Sequence, residues 1–513
     1  MSKQSFLRGT FILIVAGLIT KLLGFINKIV VARIMGDEGV GLYMMAVPTF
    51  ILAVTLTRLG LPVAISKMVA EADAVNDTKK IKKILVISLT VTILLSIVWT
   101  CGLLFASPIL AKYFFTDERT IYPLLAIAPV IPIVAVSSVI RGYFQGIQDM
   151  RPPAYSQVIE QVVRILLVAF FTTLLLPYGV EFAAAGAMIS VIFGELASLI
   201  YLASQFQFNK SFKLRSRIFQ YVKTGRETFR SLMSISLPAT GSQLIGSISY
   251  FFEPIIVAQS LAIAGIAPAV ATKQYGALSG FAIPLLLLPS FFTYALSTSL
   301  IPAISEAAAQ KKHRMIQYRI NQAIRFSFIF GGISFIITYV FAFPLMDLFY
   351  NAPQFAIFVQ IMAPFFFFHY FQGPLASVLQ ALGFAKAAMI NSLIGAVVKT
   401  AGIFVLASNP SLGIKGVALA ISIGIILVTL LHLATIMKVT SFKLDKPDLI
   451  KCSTAVFLGF VIAVPVYDFF IHPQSLLQST LAAVAFVTFI FVIISLFIGA
   501  LKKEDLKMLP FIK

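Results

Sequence analysis

The sequence predicts an all-α integral membrane protein of fourteen transmembrane helices: two parallel six-helix repeats around a central cavity, plus two C-terminal helices. Three observations predict this fold class: an apolar composition, basic residues confined to alternate loops, and an internal repeat. The 513 residues are 59% hydrophobic and 12% charged, with a mean hydropathy of +0.96. Soluble domains carry roughly 25% charged residues. Most of the chain is therefore expected to lie within a bilayer.

Apolar runs between charged or Pro/Gly-rich breaks have the length of about 20 residues that a transmembrane helix needs. The first run contains Lys21 and has no small-residue cleavage site, so we interpret it as a helix rather than a signal peptide. The two cysteines, Cys101 and Cys452, indicate neither a disulfide framework nor a metal site. The predicted spans are 9–35, 40–66, 84–111, 120–147, 153–177, 182–206, 231–258, 274–304, 323–346, 354–382, 386–408, 412–437, 449–470 and 475–501.

The basic residues predict the orientation, because cytoplasmic loops carry an excess of Lys and Arg. Thirty of the forty fall in the N-terminus, the even-to-odd loops and the C-terminal tail. We therefore expect a multi-pass protein of the cell membrane with both termini in the cytoplasm. Clustered in this way, the net charge of +20 does not indicate a nucleic-acid partner. Five basic residues fall on the other side: Arg33, Lys112, Arg119, Lys273 and Lys415.

Three motifs occur twice in the same order, at offsets of 239, 235 and 230 residues. Six helices per repeat is an even number, so both halves enter the membrane from the same side. Parallel repeats of this kind place a substrate site near the midplane between the halves, with alternating access by rocking. The matches are Ala64-Ile65-Ser66 with Ala303-Ile304-Ser305, Val162-Val163-Arg164 with Val397-Val398-Lys399, and Gly186 and Gly194 with Gly416 and Gly424.

The repeat predicts four segments: a first half (1–208), a cytoplasmic joint (209–230), a second half (231–438) and a C-terminal part with two extra helices and a tail (439–513). In the joint, apolar residues at helical spacing among basic ones favour an amphipathic helix on the anionic inner leaflet. A solvated basic linker explains the charge equally well, but not the apolar stripe. That stripe consists of Leu214, Ile218, Tyr221 and Val222.

Charged residues within the predicted spans are the candidate functional residues, because a charge at the bilayer centre costs on the order of 3 kcal/mol. Five cations against three acids leave a surplus of +2, which suits an anionic substrate such as a phosphate or pyrophosphate. The alternative is that the charges pair and only hold helices together. The candidate substrate-binding residues are Lys21, Lys28, Arg58, Arg164 and Lys399, and the candidate charge partners or coupling residues are Glu160, Glu195 and Glu253.

The spacing of these charged residues along their helices predicts different roles for them. Glu160 and Arg164 are four apart on one helix, which favours a structural ion pair. The repeat-equivalent of Glu160 is Gly395, so Lys399 has no acid one turn away and is expected to need another partner. Lys21 and Lys28 share one helix face, and their span contains no acid. We therefore expect these two lysines to face the substrate.

No phosphate-cradling loop, metal-ligand cluster or nucleophile elbow occurs in the sequence, so we expect neither an enzyme nor a cofactor. Three alternatives stay open. A cation-coupled exporter of small cationic compounds would use Glu195 and Glu253. A membrane enzyme acting on lipid-linked sugars would need longer, more charged outer loops. A scaffold for other membrane enzymes would not transport at all.

Five stretches of sequence resemble one transporter family: KLLGFINKIVVARIMGDEGVGLYMMAVP (21–48), GLPVAISKMVAEA (60–72), RGYFQG (141–146), FFEPIIVAQSLAIAGI (251–266) and TKQYGALSGFA (272–282). The family is the polysaccharide-transporter branch of the superfamily that includes multidrug exporters and the lipid II flippase. The resemblance runs over essentially the whole chain, including the two extra C-terminal helices.

The resemblance implies that the protein moves an undecaprenyl-pyrophosphate-linked sugar precursor across the membrane for spore cortex peptidoglycan. It also implies membrane lipids and cell-wall synthesis enzymes as partners. The lipid II flippase has a similar cation-Leu-Gly-Phe segment in its first helix and uses that cation in a cationic central cavity. The matching residue here is Lys21. Lys28 and Arg58 fit this role by location only.

Overall fold

The structure is a computed structural model that describes residues 3–209, 221, 224–440, 442–470 and 475–502. All the regular elements in these residues are helical. Helices satisfy their backbone hydrogen bonds internally, which is what a segment in lipid requires. The all-α membrane fold class is therefore confirmed.

The chain forms two compact units, Met1–Gly280 and Phe281–Lys513. This division follows contacts in space and does not test the predicted repeat boundaries. The helices of the first unit are α1 Lys3–Arg58, α2 Leu61–Ala74, α3 Thr78–Ile109, α4 Ile121–Ile127, α5 Val130–Gly146, α6 Arg151–Leu175, α7 Val180–Asn209, α8 Arg226–Ile263 and α9 Pro268–Gly276. Those of the second are α10 Ile283–Leu287, α11 Ser290–Ala309, α12 His313–Val340, α13 Ala342–Tyr350, α14 Ala356–Ala381, α15 Ala385–Ala407, α16 Ile414–Thr440, α17 Lys446–Phe470 and α18 Leu476–Phe497.

Twelve helical segments of the described chain are long and apolar enough to cross a membrane, or thirteen if one bent pair counts as a span. One of the twelve, Val15–Ala74, has 60 residues, about three times the length that one crossing takes. It contains a non-helical residue, Gly36 (φ 65°, ψ −171°), which lies between the first two predicted spans. The predicted count of fourteen stays a prediction.

Several predicted spans are broken rather than straight. The predicted span 274–304 corresponds to two segments, Pro268–Leu287 and Ser290–Ala309, which meet at a bend of 56°. A π-helical turn, Ala277–Ala282, precedes this bend. The predicted span 120–147 is divided between α4 and α5 at Pro129. Proline at these positions removes a backbone hydrogen bond and accounts for the breaks.

The backbone repeats with a spacing of 235 residues, independently of the sequence motifs. Left-handed residues that end a helix or a turn recur at this interval in three pairs. Short 3-10 turns follow the second pair at the same interval, at Glu118–Thr120 and Pro353–Phe355. Each half therefore places its helix ends at equivalent positions. The three pairs are Asn76 and Lys311, Thr116 and Asn351, and Gln148 and Gly383.

The two C-terminal helices, α17 and α18, are held against α12 by close contacts and an ion pair. Val456 of α17 lies against Gly332 of α12. Arg325 of α12, only 4% exposed, donates to Asp448 of α17 over 3.0 Å. Lys502 donates to the same carboxylate over 2.9 Å. Arg325 lies within the predicted span 323–346, so the sequence-based count of five intramembrane cations is too low.

Most of the predicted joint, 209–230, lies outside the described residues. Two features of the rest are clear. The following helix, α8, begins at Arg226, within the predicted joint. The ring of Tyr221 lies 5.5 Å from the ammonium of Lys82 on α3, a cation–π distance. The predicted amphipathic helix stays a prediction.

Candidate functional site

Close packing of α6 against α7 assembles the charged residues of the first unit. A β-carbon at Gly194 of α7 would lie 2.9 Å from the backbone oxygen of Glu160 and 3.2 Å from Cβ of Arg164, both on α6. Glycine is therefore needed for the two helices to approach this closely. Since Glu195 follows Gly194 directly, the approach brings its carboxylate next to the Glu160–Arg164 pair.

Two arginines share the two carboxylates at this contact. Arg164 Nη2 donates to Glu160 Oε1 over 2.6 Å, so the predicted i,i+4 ion pair is present. Arg141 Nη2 lies 3.2 Å from Glu160 Oε2 and 3.7 Å from Glu195 Oε2. It also donates to Ser198 Oγ over 2.8 Å. Both glutamates are buried, with 8% and 6% of their surface exposed. One guanidinium therefore links α5, α6 and α7.

Arg58, the last residue of α1, completes what we call the arginine–glutamate cluster: Arg58, Arg141, Glu160, Arg164 and Glu195. Arg58 lies close enough to Arg141 and to both glutamates to interact with them electrostatically. It forms no ion pair within 4.0 Å with any residue that the structure describes. The Nε atoms of all three arginines are buried without a hydrogen-bond partner in that part of the chain. Three buried donors and one buried acceptor, Glu195 Oε2, therefore lack a partner within the described part of this cluster.

Arg141 is a site residue that the sequence prediction omits. It lies within the predicted span 120–147, five residues before the end of α5, and was counted with the cytoplasmic loops. The RGYFQG stretch (141–146) that carries the family resemblance contains it, so a signal was present. With Arg141 included, the cluster holds three cations and two acids. Its surplus of one positive charge depends on this arginine.

The other predicted site residues take no part in the ion pairs described for this cluster. Lys21 is exposed and has an interaction partner. Lys28 is half-buried and forms no ion pair within the described residues. Glu253 is 7% exposed and close to the hydroxyls of Tyr250 and Tyr275. Lys399 belongs to the second unit and also has an interaction partner.

A second polar cluster of the first unit surrounds the turn between α3 and α4. Arg119 donates to Glu38 over 2.6 Å and to Asp117 over 2.9 Å. Thr272 of α9 donates to the same Asp117 carboxylate over 2.9 Å. Burial by itself would raise the pKa of Asp117, but the hydrogen bonds from Arg119 and Thr272 and the Arg119 charge hold that pKa below its ordinary value. No motif or spacing in the sequence predicts this cluster.

Beside this cluster, α1 and α9 meet backbone to backbone. A β-carbon at Gly41 would overlap the carbonyl oxygen of Thr272, and one at Gly276 would overlap that of Asp37. The neighbouring Lys273 forms an ion pair with Asp37 over 3.4 Å. Ionic contacts thus flank a contact that only glycine permits.

The described side chains of the first unit include groups suited to binding an anion. Among them, no three His, Cys, Asp or Glu residues lie close enough to hold a metal ion. The buried His432 of α16 contacts the side-chain amide of Asn391 at 3.2 Å, as a packing polar pair would. Guanidinium groups with free N–H donors bind phosphate oxygens well. The arginine–glutamate cluster is therefore the leading candidate site in the first unit.

Comparison with known proteins identifies the family. The family described as "Polysaccharide biosynthesis protein" matches residues 6–308. Stage V sporulation protein B of Bacillus subtilis (strain 168) is 56% identical over 515 residues, covering 100% of this chain and 99% of that protein.

Two solved structures share the fold. "Lipid II flippase MurJ, inward closed conformation" has a TM-score of 0.73 at 16% identity and covers 94% of this chain and 98% of that one. An inward-facing MATE-family multidrug resistance transporter has a TM-score of 0.68 at 19% identity, covering 82% and 94%. The chain therefore belongs to the polysaccharide biosynthesis protein family, and its multi-pass membrane fold is shared with these two transporter structures.

Proposed function

We propose that this protein is a flippase that moves an undecaprenyl-pyrophosphate-linked cell-wall precursor, similar to lipid II, across the cytoplasmic membrane by alternating access. The step would serve synthesis of spore cortex peptidoglycan. The full-length relative named stage V sporulation protein B supports the sporulation role. The fold shared with a lipid II flippase supports transport of a lipid-linked substrate.

The observation that carries the proposal is the surplus of guanidinium groups over carboxylates in the arginine–glutamate cluster. Charges within the membrane are costly, and a surplus of one sign calls for a ligand of the other sign. A pyrophosphate has several oxygens that accept charge-assisted hydrogen bonds from guanidinium N–H groups. The three arginine Nε atoms without a partner among the described residues fit that need. Lys21, Lys28 and Lys399 are proposed to contribute further positive charge.

The proposal includes an orientation and partners. The split of thirty basic residues against five supports cytoplasmic termini. Membrane lipids would surround the chain and hold the substrate's lipid tail, and cell-wall synthesis enzymes would receive the sugar. Labelling of a Lys213→Cys variant with an impermeant thiol reagent tests the orientation. Reaction in intact cells would contradict a cytoplasmic joint.

A cation-coupled exporter of small cationic compounds is the alternative, since one of the similar structures is a multidrug transporter. Glu195 keeps this alternative open, because its Oε2 has no hydrogen-bond partner among the described residues and Arg141 approaches it only to 3.7 Å. Purified protein in liposomes distinguishes the two: we expect movement of fluorescent lipid II and none of a labelled cationic dye. Movement of the dye alone would overturn the proposal.

Variants of helix α1 test whether the charge of its lysines or their shape matters for substrate binding. Lys28→Gln is similar in length but neutral, and is expected to weaken lipid II binding roughly ten- to hundredfold, the effect of losing a charge-assisted contact. Lys28→Arg keeps the charge and should retain most of the binding. The same pair at Lys21 is expected to behave alike, although Lys21 has a protein partner and its neutralisation also tests stability. Normal binding by Lys28→Gln would remove α1 from the site.

A further inference from the structure

Arg141 is the only residue of the arginine–glutamate cluster with an ion pair to each of the two glutamates, among the pairs that the structure describes. Its Nη2 atom also donates to Ser198. Three helices thus converge on one side chain, which is 15% exposed. A guanidinium used in this way orients the carboxylates and is largely committed to protein partners.

Arg58 differs from Arg141 in this respect. It is within electrostatic reach of Glu160 and Glu195, yet no ion pair within 4.0 Å joins it to either of them in the described chain. Its Nε is buried and has no partner there. Two carboxylates next to a guanidinium would normally attract it into direct pairing. In this cluster Arg141 and Arg164 both donate to Glu160, and Arg141 also lies 3.7 Å from Glu195 Oε2, which has no hydrogen-bond partner among the described residues.

Charge counting leads to the same distinction. Arg58, Arg141 and Arg164 face Glu160 and Glu195, so the cluster carries one positive charge in excess. Without Arg141, two arginines would face two glutamates. The cluster would then be neutral, and Glu195 would be free to pair with Arg58.

We infer that Arg141 is a positioning residue of the proposed substrate site: by holding Glu160 and Glu195, it keeps Arg58 available to the pyrophosphate of the lipid substrate. This inference rests on the proposed function and deepens it. Arg58 is the contact residue, and Arg141 acts through the two carboxylates. The recognised chemistry is the anionic pyrophosphate rather than the sugar.

The test measures binding of undecaprenyl pyrophosphate to the full-length protein in detergent at several NaCl concentrations. Arg141→Gln should weaken binding by about ten- to fiftyfold, because one unit of positive charge near the bound anion is lost at an effective dielectric constant of about 20. It should also flatten the dependence of affinity on salt, since screening acts on the charge surplus. A purely structural role would not change the salt dependence.

The double variant Arg141→Gln/Glu195→Gln restores the surplus of one and should recover binding to within about threefold of the wild type. A double variant as weak as the single one would overturn the inference, because it would make Arg141 itself a ligand or a purely structural residue. The melting temperature of each variant is measured in parallel.

If Arg141→Gln does not fold, Glu195→Gln alone decides the question. It raises the surplus from one to two and should tighten binding several-fold with a steeper salt dependence; unchanged or weaker binding contradicts the inference. Absence of binding by the wild type would overturn the proposed function and this inference together. Wild-type binding with an unaffected Arg141→Gln protein would overturn the inference alone.

Discussion

Two helical hairpins, α6–α7 in the first unit and α15–α16 in the second, have the same packing but different charges. In the first, a β-carbon at Gly186 would lie 2.8 Å from the backbone oxygen of Phe171. In the second, one at Gly416 would lie 2.5 Å from that of Leu406. Phe171 and Leu406 are 235 residues apart, the interval of the backbone repeat. The hairpins therefore use equivalent backbone contacts.

The second glycine of each hairpin contacts the equivalent cation. Gly194 faces Arg164, and a β-carbon at Gly424 would lie 3.0 Å from Cβ of Lys399. One turn before the cation, however, Glu160 is replaced by Gly395, whose missing side chain leaves room for Val428. The two hairpins share this packing, but only the first has the acid. This difference indicates that the hairpin serves as a scaffold and that its charges are specialised separately in each half.

The largest effect is expected where the halves differ most, at Glu160. Glu160→Gln removes the carboxylate shared by Arg141 and Arg164, leaving buried guanidinium groups without their counter-charge. We expect a loss of about 3–5 kcal/mol of stability, measured by thermal unfolding in detergent. The double variant Glu160→Gln/Arg164→Gln should recover part of the loss. An unchanged melting temperature would mean that the first hairpin does not depend on its ion pair.

The comparison also predicts a division of function between the two equivalent cations. Arg164 is held by Glu160 at 2.6 Å, so Arg164→Gln should lower the melting temperature in addition to removing the positive charge surplus of the cluster. Lys399→Gln should mainly reduce lipid II movement in liposomes, roughly tenfold or more if it loses a charge-assisted phosphate contact. The opposite result, with transport lost only in the Arg164 variant at normal stability, would contradict the argument from charge partners.

The shared packing predicts equal effects in the two hairpins. Gly186→Ala and Gly416→Ala each place a β-carbon against backbone and should destabilise the protein by about 1–3 kcal/mol. Gly102→Ala on α3 is the matched control, because nothing lies within 4 Å of its β-carbon position. It should be neutral or slightly stabilising. If only one of the two glycine variants lost stability, the packing of the two hairpins would not be equivalent.

The smallest effect concerns the repeated turns after Thr116 and Asn351, where the first half has Asp117 and the second has Ala352. The lowered pKa of Asp117 means that its carboxylate stabilises the fold above its ordinary pKa of about 4, and that this is lost as pH falls through the lower folded value. Asp117→Asn should therefore cost about 1 kcal/mol at pH 7 and progressively less below pH ~4.

Glu118→Gln provides the control for this prediction, since Glu118 is adjacent and exposed. Thermal unfolding between pH 3 and 7 should show almost no difference between this variant and the wild type. If Asp117→Asn lowered the melting temperature relative to the wild type by the same amount at every pH, the carboxylate charge would not be what stabilises the turn.

Local signals in the sequence predicted part of this site. The spacing of Glu160 and Arg164 predicted their ion pair, because residues four apart on a helix are neighbours. The repeated glycines predicted equivalent hairpins. The link from Arg141 to Glu195 joins residues on α5 and α7, and no spacing along one helix encodes such a contact. The π-helical turn Ala277–Ala282 was also missed, since it depends on packing against α1 rather than on composition.

The contact of α1 with α9 has a mechanical consequence. Gly41 and Gly276 bring bare backbones together, so the closeness of this contact depends on glycine rather than on the fit of two large side chains. Attraction is added by the flanking side chains, through the ion pair of Asp37 with Lys273 and the hydrogen bond from Thr272 to Asp117. The closeness of the α1–α9 contact and the attraction across it thus depend on different residues, so that one changes without the other.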